Sequence, residues 1–253
     1  MKPKFQEFTD SQWKVIDKIL ADKRKRKHPL RIIINAILFI NNTGVQWRNL
    51  DSKYPPWETV FYHFTQFKAR GIWGEILDSL VVTERERQKK EASPSLLAID
   101  SQSVKKMQFV SQETGIDGGK NVNGRKRTIL VDTLGLPLSI KVTAANVSDN
   151  QAGILAVDLL KGKVPRLQKI TADMGYKNTF VEYVSSTCEW EVEIAQKPES
   201  SMGFIPQKNR WQVERSFGWL NFRRRLFRDV EKTVQSAEAM LEIAFISFII
   251  NRL

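Results

Sequence analysis

Three apolar runs in this chain close on a carboxylate: "LLAID" at Asp100, "ILVDTLG" at Asp132 and "KITAD" at Asp173. A fourth acid stands in a less expected place. The stretch "NRWQVERSFGWLNFRRRLF", Asn209 to Phe227, reads as an amphipathic helix loaded with arginine, yet it carries Glu214 in its middle. Two aspartates delivered to the carboxyl edge of a sheet by adjacent strands can share a hard divalent cation. Oxygen ligands with incomplete coordination favour Mg2+ or Mn2+, which keep positions for water and a substrate phosphate. On a helix, Arg210, Glu214, Phe217 and Asn221 fall at spacings of four, three and four and so share one stripe. Packed over the sheet edge, that stripe would aim Glu214 at the cation and its arginines at flanking phosphates.

Each acid also has a plainer use. A strand-terminal aspartate commonly caps the turn that follows. A glutamate between arginines commonly forms a surface ion pair worth less than about 1 kcal/mol. The hairpin "DTLGLP" explains Asp132 as a turn residue, but spacing alone does not separate Asp100 and Asp173 from it. Read from these residues alone, the chemistry is that of a metal-dependent nucleic-acid enzyme.

The elements that must position these acids follow from the hydrophobic pattern. Thr9 or Asp10 can cap a first helix whose apolar face is Trp13, Ile16, Ile19 and Leu20. A second helix is predicted over about 30–41, a third from Pro56 to Gly71, and a fourth around Trp73, Ile76, Leu77 and Leu80. Short helices with a positive excess suit a helix-turn-helix type of DNA-binding domain, here residues 1–88. After the charged stretch "VVTERERQKKEASPS" the pattern changes, and residues 89–253 read as a second domain. "LLAID", "RTILVD", "LSIKVTA", "KITAD" and "WEVEIAQ" are its strands, with helices over about 150–161, 176–187, 207–226 and 235 onward. Strands in a meander and then alternating with helices imply a mixed α/β sheet.

The 253 residues carry a net charge of +12, of which +8 falls in the first 90. That bias points to a polyanion, nucleic acid rather than a membrane surface. The single cysteine, Cys188, leaves no internal disulfide and no cysteine-based zinc site. No apolar run follows "MKPK", and "AMLEIAFISFII" is too short for a bilayer and carries Glu242, so a cytoplasmic protein is expected. "DGGKNVNGRKR" lacks the spacing of a phosphate loop. It reads instead as a basic loop between two strands, from which Lys120, Arg125, Lys126 and Arg127 could hold DNA near Asp100, or simply be solvated. The basic run Lys23 to Lys27 has the same two readings. On the third helix, Thr59, Tyr62, His63 and Gln66 lie off the apolar stripe and could reach base edges.

Taken together, these motifs resemble a family: the bacterial insertion-sequence transposases of the DDE class, with an RNase H-like core, in the group usually numbered five. The resemblance rests on "TGVQWRNL", "YPPWETVFYHF" and "GIWGEIL" near the start. It continues through "AIDSQSVK", "GRKRTILVDTLGLPLSIKVTAANVSDNQAG" and "ADMGYKN", and ends on "RWQVERSFGWLNFRRRL" and "AEAMLEIAFISFIINRL". It implies Asp100, Asp173 and Glu214 as the catalytic, metal-binding acids, separated by 73 and 41 residues, and Arg210 as a DNA contact near the cut. Two Mg2+ ions, about 3.5–4 Å apart, would serve phosphodiester cleavage and then joining of the freed 3′ end to target DNA, with Mn2+ substituting. Double-stranded DNA of the element ends and the target is the implied partner, held by a homodimer or higher oligomer at the bacterial nucleoid. The chain departs from the wider class at Asn221 and Gln207, where a basic residue and a tyrosine are common. Asn221 can still donate to a phosphate or a base. A catalytically inactive DNA-binding regulator and a nuclease of the same fold are the competing functions.

Overall fold

A computed structural model describes residues 5–195 and 211–253. Gln207 and Arg210 therefore lie outside the described residues. Four helices come first: α1 (Asp10–Leu20), α2 (Leu30–Thr43), α3 (Trp57–Ala69) and α4 (Ile72–Arg87). Thr9 caps α1 as expected: its hydroxyl accepts from Gln12 N at 3.2 Å while Gln12 Oε1 accepts from Thr9 N at 3.0 Å. Reciprocal bonds of this kind satisfy two otherwise orphaned donors. α2 is buried along most of its length and stops at Gly44, whose φ of 72° only glycine adopts without cost.

The rest of the described chain runs β1 (Leu96–Lys105), β2 (Gly115–Asp117), β3 (Val122–Val131), β4 (Pro137–Ala144), α5 (Asp149–Asp158), β5 (Lys169–Ala172), α6 (Thr179–Cys188), β6 (Glu191–Ile194), α7 (Trp211–Leu220) and α8 (Val234–Ile250). The sheet order is β4-β3-β1-β5-β6, with the short β2 also paired to β3. β3 lies antiparallel to β1 and β4, whereas β1, β5 and β6 are parallel. This is the mixed α/β sheet expected from the pattern, in keeping with the RNase H-like core that the resemblance implies, with helices before it and around it.

Each face of the sheet has its own apolar layer. Ala98, Ile129 and Val131 pack with α2, α3, α4, α7 and α8. Leu97, Ile99, Leu130, Ile170 and Ala172 pack with α5 and α6. Period-two alternation along β1 decides which residue joins which layer. α8 is apolar nearly all round and buried nearly all round, which makes it a core helix wedged between the amino-terminal helices and the sheet. No described helix is long and apolar enough to cross a membrane.

Three boundaries differ from the expectation. β1 does not stop at Asp100 but continues to Lys105, because β3 pairs with it along its whole second half. β3 begins at Val122, inside the segment read as a basic loop. α7 ends at Leu220, and the chain then turns through a single 3-10 turn at Arg224–Leu226 instead of remaining helical to 226.

Candidate active site

β1 and β5 are matched in parallel at Leu96–Lys169, Leu97–Ile170 and Ala98–Thr171. Two residues past the last matched pair, one backbone carries Asp100 and the other Asp173. Neighbouring strands run about 4.8 Å apart, so the two acids stand abreast where β5 ends. Asp100 is half-buried in mid-strand and opposes Ile129 of β3. Asp173, also half-buried, begins the turn after β5, and its Oδ1 accepts from Gly175 N at 2.8 Å.

Behind this pair lies a feature that the sequence reading missed. Asp149, in the first turn of α5, accepts from Ser101 Oγ at 2.7 Å and from Lys126 Nζ at 2.8 Å. A Cβ on Gly175 would lie 3.0 Å from Asp173 Oδ1 and 3.1 Å from Asp149 Oδ2, so both carboxylates reach the same small space. The Tyr176 hydroxyl is buried beside them and has no hydrogen-bond partner of good geometry. Burial first, then the charges of Asp100, Asp149 and Asp173, push its phenol well above the usual range. Gly153 on α5 permits this arrangement: a Cβ there would meet ring carbons of Phe180 and Tyr176 at 2.8–2.9 Å. In sequence, Asp149 looks like an ordinary acid following the N-cap Ser148. Only the chain path brings it to the other two.

α7 packs on β1 and β3, over the face that alternation assigns to Asp100. Val213, Phe217 and Leu220 point into the core, while Glu214 and Asn221 are exposed. Glu214 thus belongs to the helix lying over the strand pair, but on its solvent side. Phe217 faces inward, so the stripe proposed from spacing is split between core and surface. The donor types suit a hard divalent cation. Among the described residues, however, no three His, Cys, Asp or Glu side chains are gathered closely enough to hold one ion.

Comparison with known families gives two matches. Residues 91–250 match the family described as "Transposase DDE domain", and residues 8–77 match "Putative transposase of IS4/5 family". The chain belongs to the DDE transposases. It is accordingly a metal-dependent enzyme that acts on DNA. None of the curated proteins matches it.

The transposase uses many of its arginines internally, against the expectation that they face phosphates. Arg215 lies over the Trp211 and Trp219 rings at 4.2 and 5.0 Å and donates to Leu134 O. Arg223 donates to Ser247 Oγ and Arg225 pairs with Glu231 at 2.7 Å, both buried. Burial lowers the Arg223 guanidinium to about 10. Arg224 is exposed.

The basic-loop reading is corrected in the same way. Arg125, Lys126 and Arg127 belong to β3 and are at most 5% exposed. Arg125 donates to Asp229 at 3.1 Å and to the Glu231 carbonyl at 2.9 Å, and Arg127 donates to the Leu226 carbonyl at 2.9 Å. Lys126 is held by Asp149 and the Val147 carbonyl. Alternating strand geometry sends Arg125 and Arg127 to one face and Lys126 to the other, so no shared basic surface forms. Lys120 alone of the four is exposed, in the turn before β3.

On α3, Tyr62 and Gln66 are exposed, while Thr59 and His63 are half-buried. Burial, with Arg26 nearby, lowers the His63 pKa, which keeps the ring neutral near pH 7. In the basic run, Arg26 is paired with Asp22 at 2.5 Å, whereas Lys23, Arg24, Lys25 and Lys27 are exposed.

Proposed function

We propose that this transposase binds the terminal inverted repeats of an insertion sequence, cuts at their ends and joins the freed 3′ ends to target DNA. The parallel pairing of β1 and β5, which sets Asp100 beside Asp173 beneath the helix bearing Glu214, carries the reading. Asp100 and Asp173 supply the fixed half of the site, and Glu214 supplies the third carboxylate. Bound there, two Mg2+ ions, with Mn2+ as substitute, would activate the attacking oxygen and stabilise the departing one.

The chain's own groups prepare that site. Ser101 and Lys126 hold Asp149 in place, and the Tyr176 phenol, kept neutral by burial, lies beside the carboxylates. Thr59, Tyr62, His63 and Gln66 read base edges of the repeat from α3, as the second part of a helix-turn-helix type unit. Lys120, Arg210 and Asn221 hold the strand near the cut. Two element ends must be held at once, so the working form is a homodimer or larger assembly on DNA.

Mapping cut positions on DNA that carries the native element ends tests the reading directly. Cuts at both ends, in Mg2+ or Mn2+ and not in EDTA, are expected. A pre-cut end with a free 3′-OH, supplied with target DNA, should give a joined product. Cutting without any joining would make the protein a nuclease of this fold, and binding without cutting a regulator.

A further inference from the structure

Asp149 stands in the first turn of α5, where an acid needs no reason beyond the amino end of its own helix. Its side chain nevertheless bonds elsewhere. The cap of α5 is made by Ser148, whose hydroxyl accepts from Gln151 N at 3.2 Å. Asp149 Oδ1 accepts instead from two strands, from Ser101 Oγ of β1 at 2.7 Å and from Lys126 Nζ of β3 at 2.8 Å.

Lys126 keeps only 6% of its side chain in solvent, and its other described acceptor is the Val147 carbonyl at 2.7 Å. A buried ion pair adds little to stability over apolar side chains of similar volume. Stability is therefore a poor reason for this one. Its place in the fold supplies a better reason.

Ser101 directly follows Asp100 in β1, and its backbone N–H donates to Asp100 Oδ1 at 2.7 Å. One residue thus ties two carboxylates, Asp100 by its amide and Asp149 by its hydroxyl. Alternation along β1 puts the Ser101 hydroxyl on the face opposite the Asp100 side chain. Asp149 therefore acts on Asp100 through the strand. Its second oxygen reaches the turn that carries the other acid. A Cβ on Gly175 would lie 3.1 Å from Asp149 Oδ2 and 3.0 Å from Asp173 Oδ1, so any side chain there would press on both carboxylates. Gly175 N in turn donates to Asp173 Oδ1 at 2.8 Å.

We propose that Asp149 is a positioning residue for the catalytic aspartates: anchored by Lys126, it braces Asp100 through Ser101 and Asp173 through the Gly175 turn, and so presets the gap that the cations enter. The inference rests on the reading of Asp100 and Asp173 as cation ligands. It adds the group that sets their spacing before an ion arrives. Outer partners of this kind orient the ligands of a metal and tune its affinity.

The test follows free Mn2+ by its paramagnetic resonance signal as the full chain is titrated in without DNA. In parallel, the Mg2+ concentration for half-maximal cleavage is measured on DNA carrying the element ends. Asp149→Asn and Ser101→Ala should each weaken Mn2+ binding about tenfold and raise the Mg2+ requirement to match, while the rate at saturating Mg2+ changes little. The double variant should lose no more than the weaker single variant, because both act along one path. Gly175→Ala, which crowds the same gap from the other side, should also weaken Mn2+ binding. If Asp149→Asn does not fold, Ser101→Ala and Gly175→Ala carry the test, since neither strips Lys126 of its partner. Where Mn2+ uptake needs DNA, the Mg2+ requirement decides by the same criteria. A lowered melting temperature with metal affinity and Mg2+ requirement unchanged would make Asp149 structural and overturn the proposal, as would fully additive losses in the double variant. A wild-type chain that takes up no Mn2+ and shows no metal-dependent cutting sinks the cation reading beneath it. A metal-requiring wild type that all the folded variants match sinks this inference alone.

Discussion

The hairpin end of β3, the middle of β1 and the end of β5 look alike in sequence, each an apolar run leading to an aspartate. In the fold they differ. Asp132 is 1% exposed; Arg85 donates to it from α4, and the amides of Leu134 and Leu136 donate to its Oδ1 at 2.8 and 2.9 Å. The turn occupies one oxygen of that carboxylate and an ion pair the other. Asp100 and Asp173 instead stand side by side at an edge that opens because β5 ends there while β1 runs on. Strand direction separates the two cases. An antiparallel partner returns through a tight turn that occupies its acid, whereas a parallel partner arrives by a crossover and leaves its acid at the same edge as its neighbour's.

The contrast can be broken most forcefully at the chemistry. Asp100→Asn, Asp173→Asn and Glu214→Gln should each lower cleavage about a thousandfold or more, since several kcal/mol of charge stabilisation are lost, with DNA binding retained in a gel-shift assay. Cleavage surviving in any one variant would remove that residue from the site. Asp132→Ala should do the reverse, sparing turnover per folded molecule. Breaking its buried pair with Arg85 should cost about 3–5 kcal/mol, a fall in melting temperature of about 10 °C. An unchanged denaturant midpoint would show that Asp132 is not structural. The smallest effect sharpens the same contrast among cations. Lys120→Ala should reduce the slope of log affinity against log salt by about 0.9 if Lys120 meets one phosphate, and leave stability alone. Arg125→Met should lower stability and leave that slope unchanged.

Much of the architecture was legible because periodicity is a local signal. The four amino-terminal helices, the main strands and the hairpin at Gly135 lie where apolar spacing and turn residues put them. The paired aspartates were legible as candidates but not as distinct from Asp132, since strand direction is a tertiary fact. The arginines misled for a related reason. Arg125 and Arg127 are charged residues on an inward face, tolerated because Asp229 and backbone carbonyls wait for them across the fold. Nothing local distinguishes them from a solvated loop. Asp149 escaped notice because a capping acid in a helix's first turn has an adequate explanation already.

The apolar layer that joins α2 and α4 to α8 and the sheet sets a limit on how this molecule can be altered. The amino-terminal helices and the sheet share one interior, so neither half can be lifted out and grafted onto another scaffold without stripping the other of its packing. Deletion fragments of either half would report on exposed hydrophobic surface rather than on a separable task.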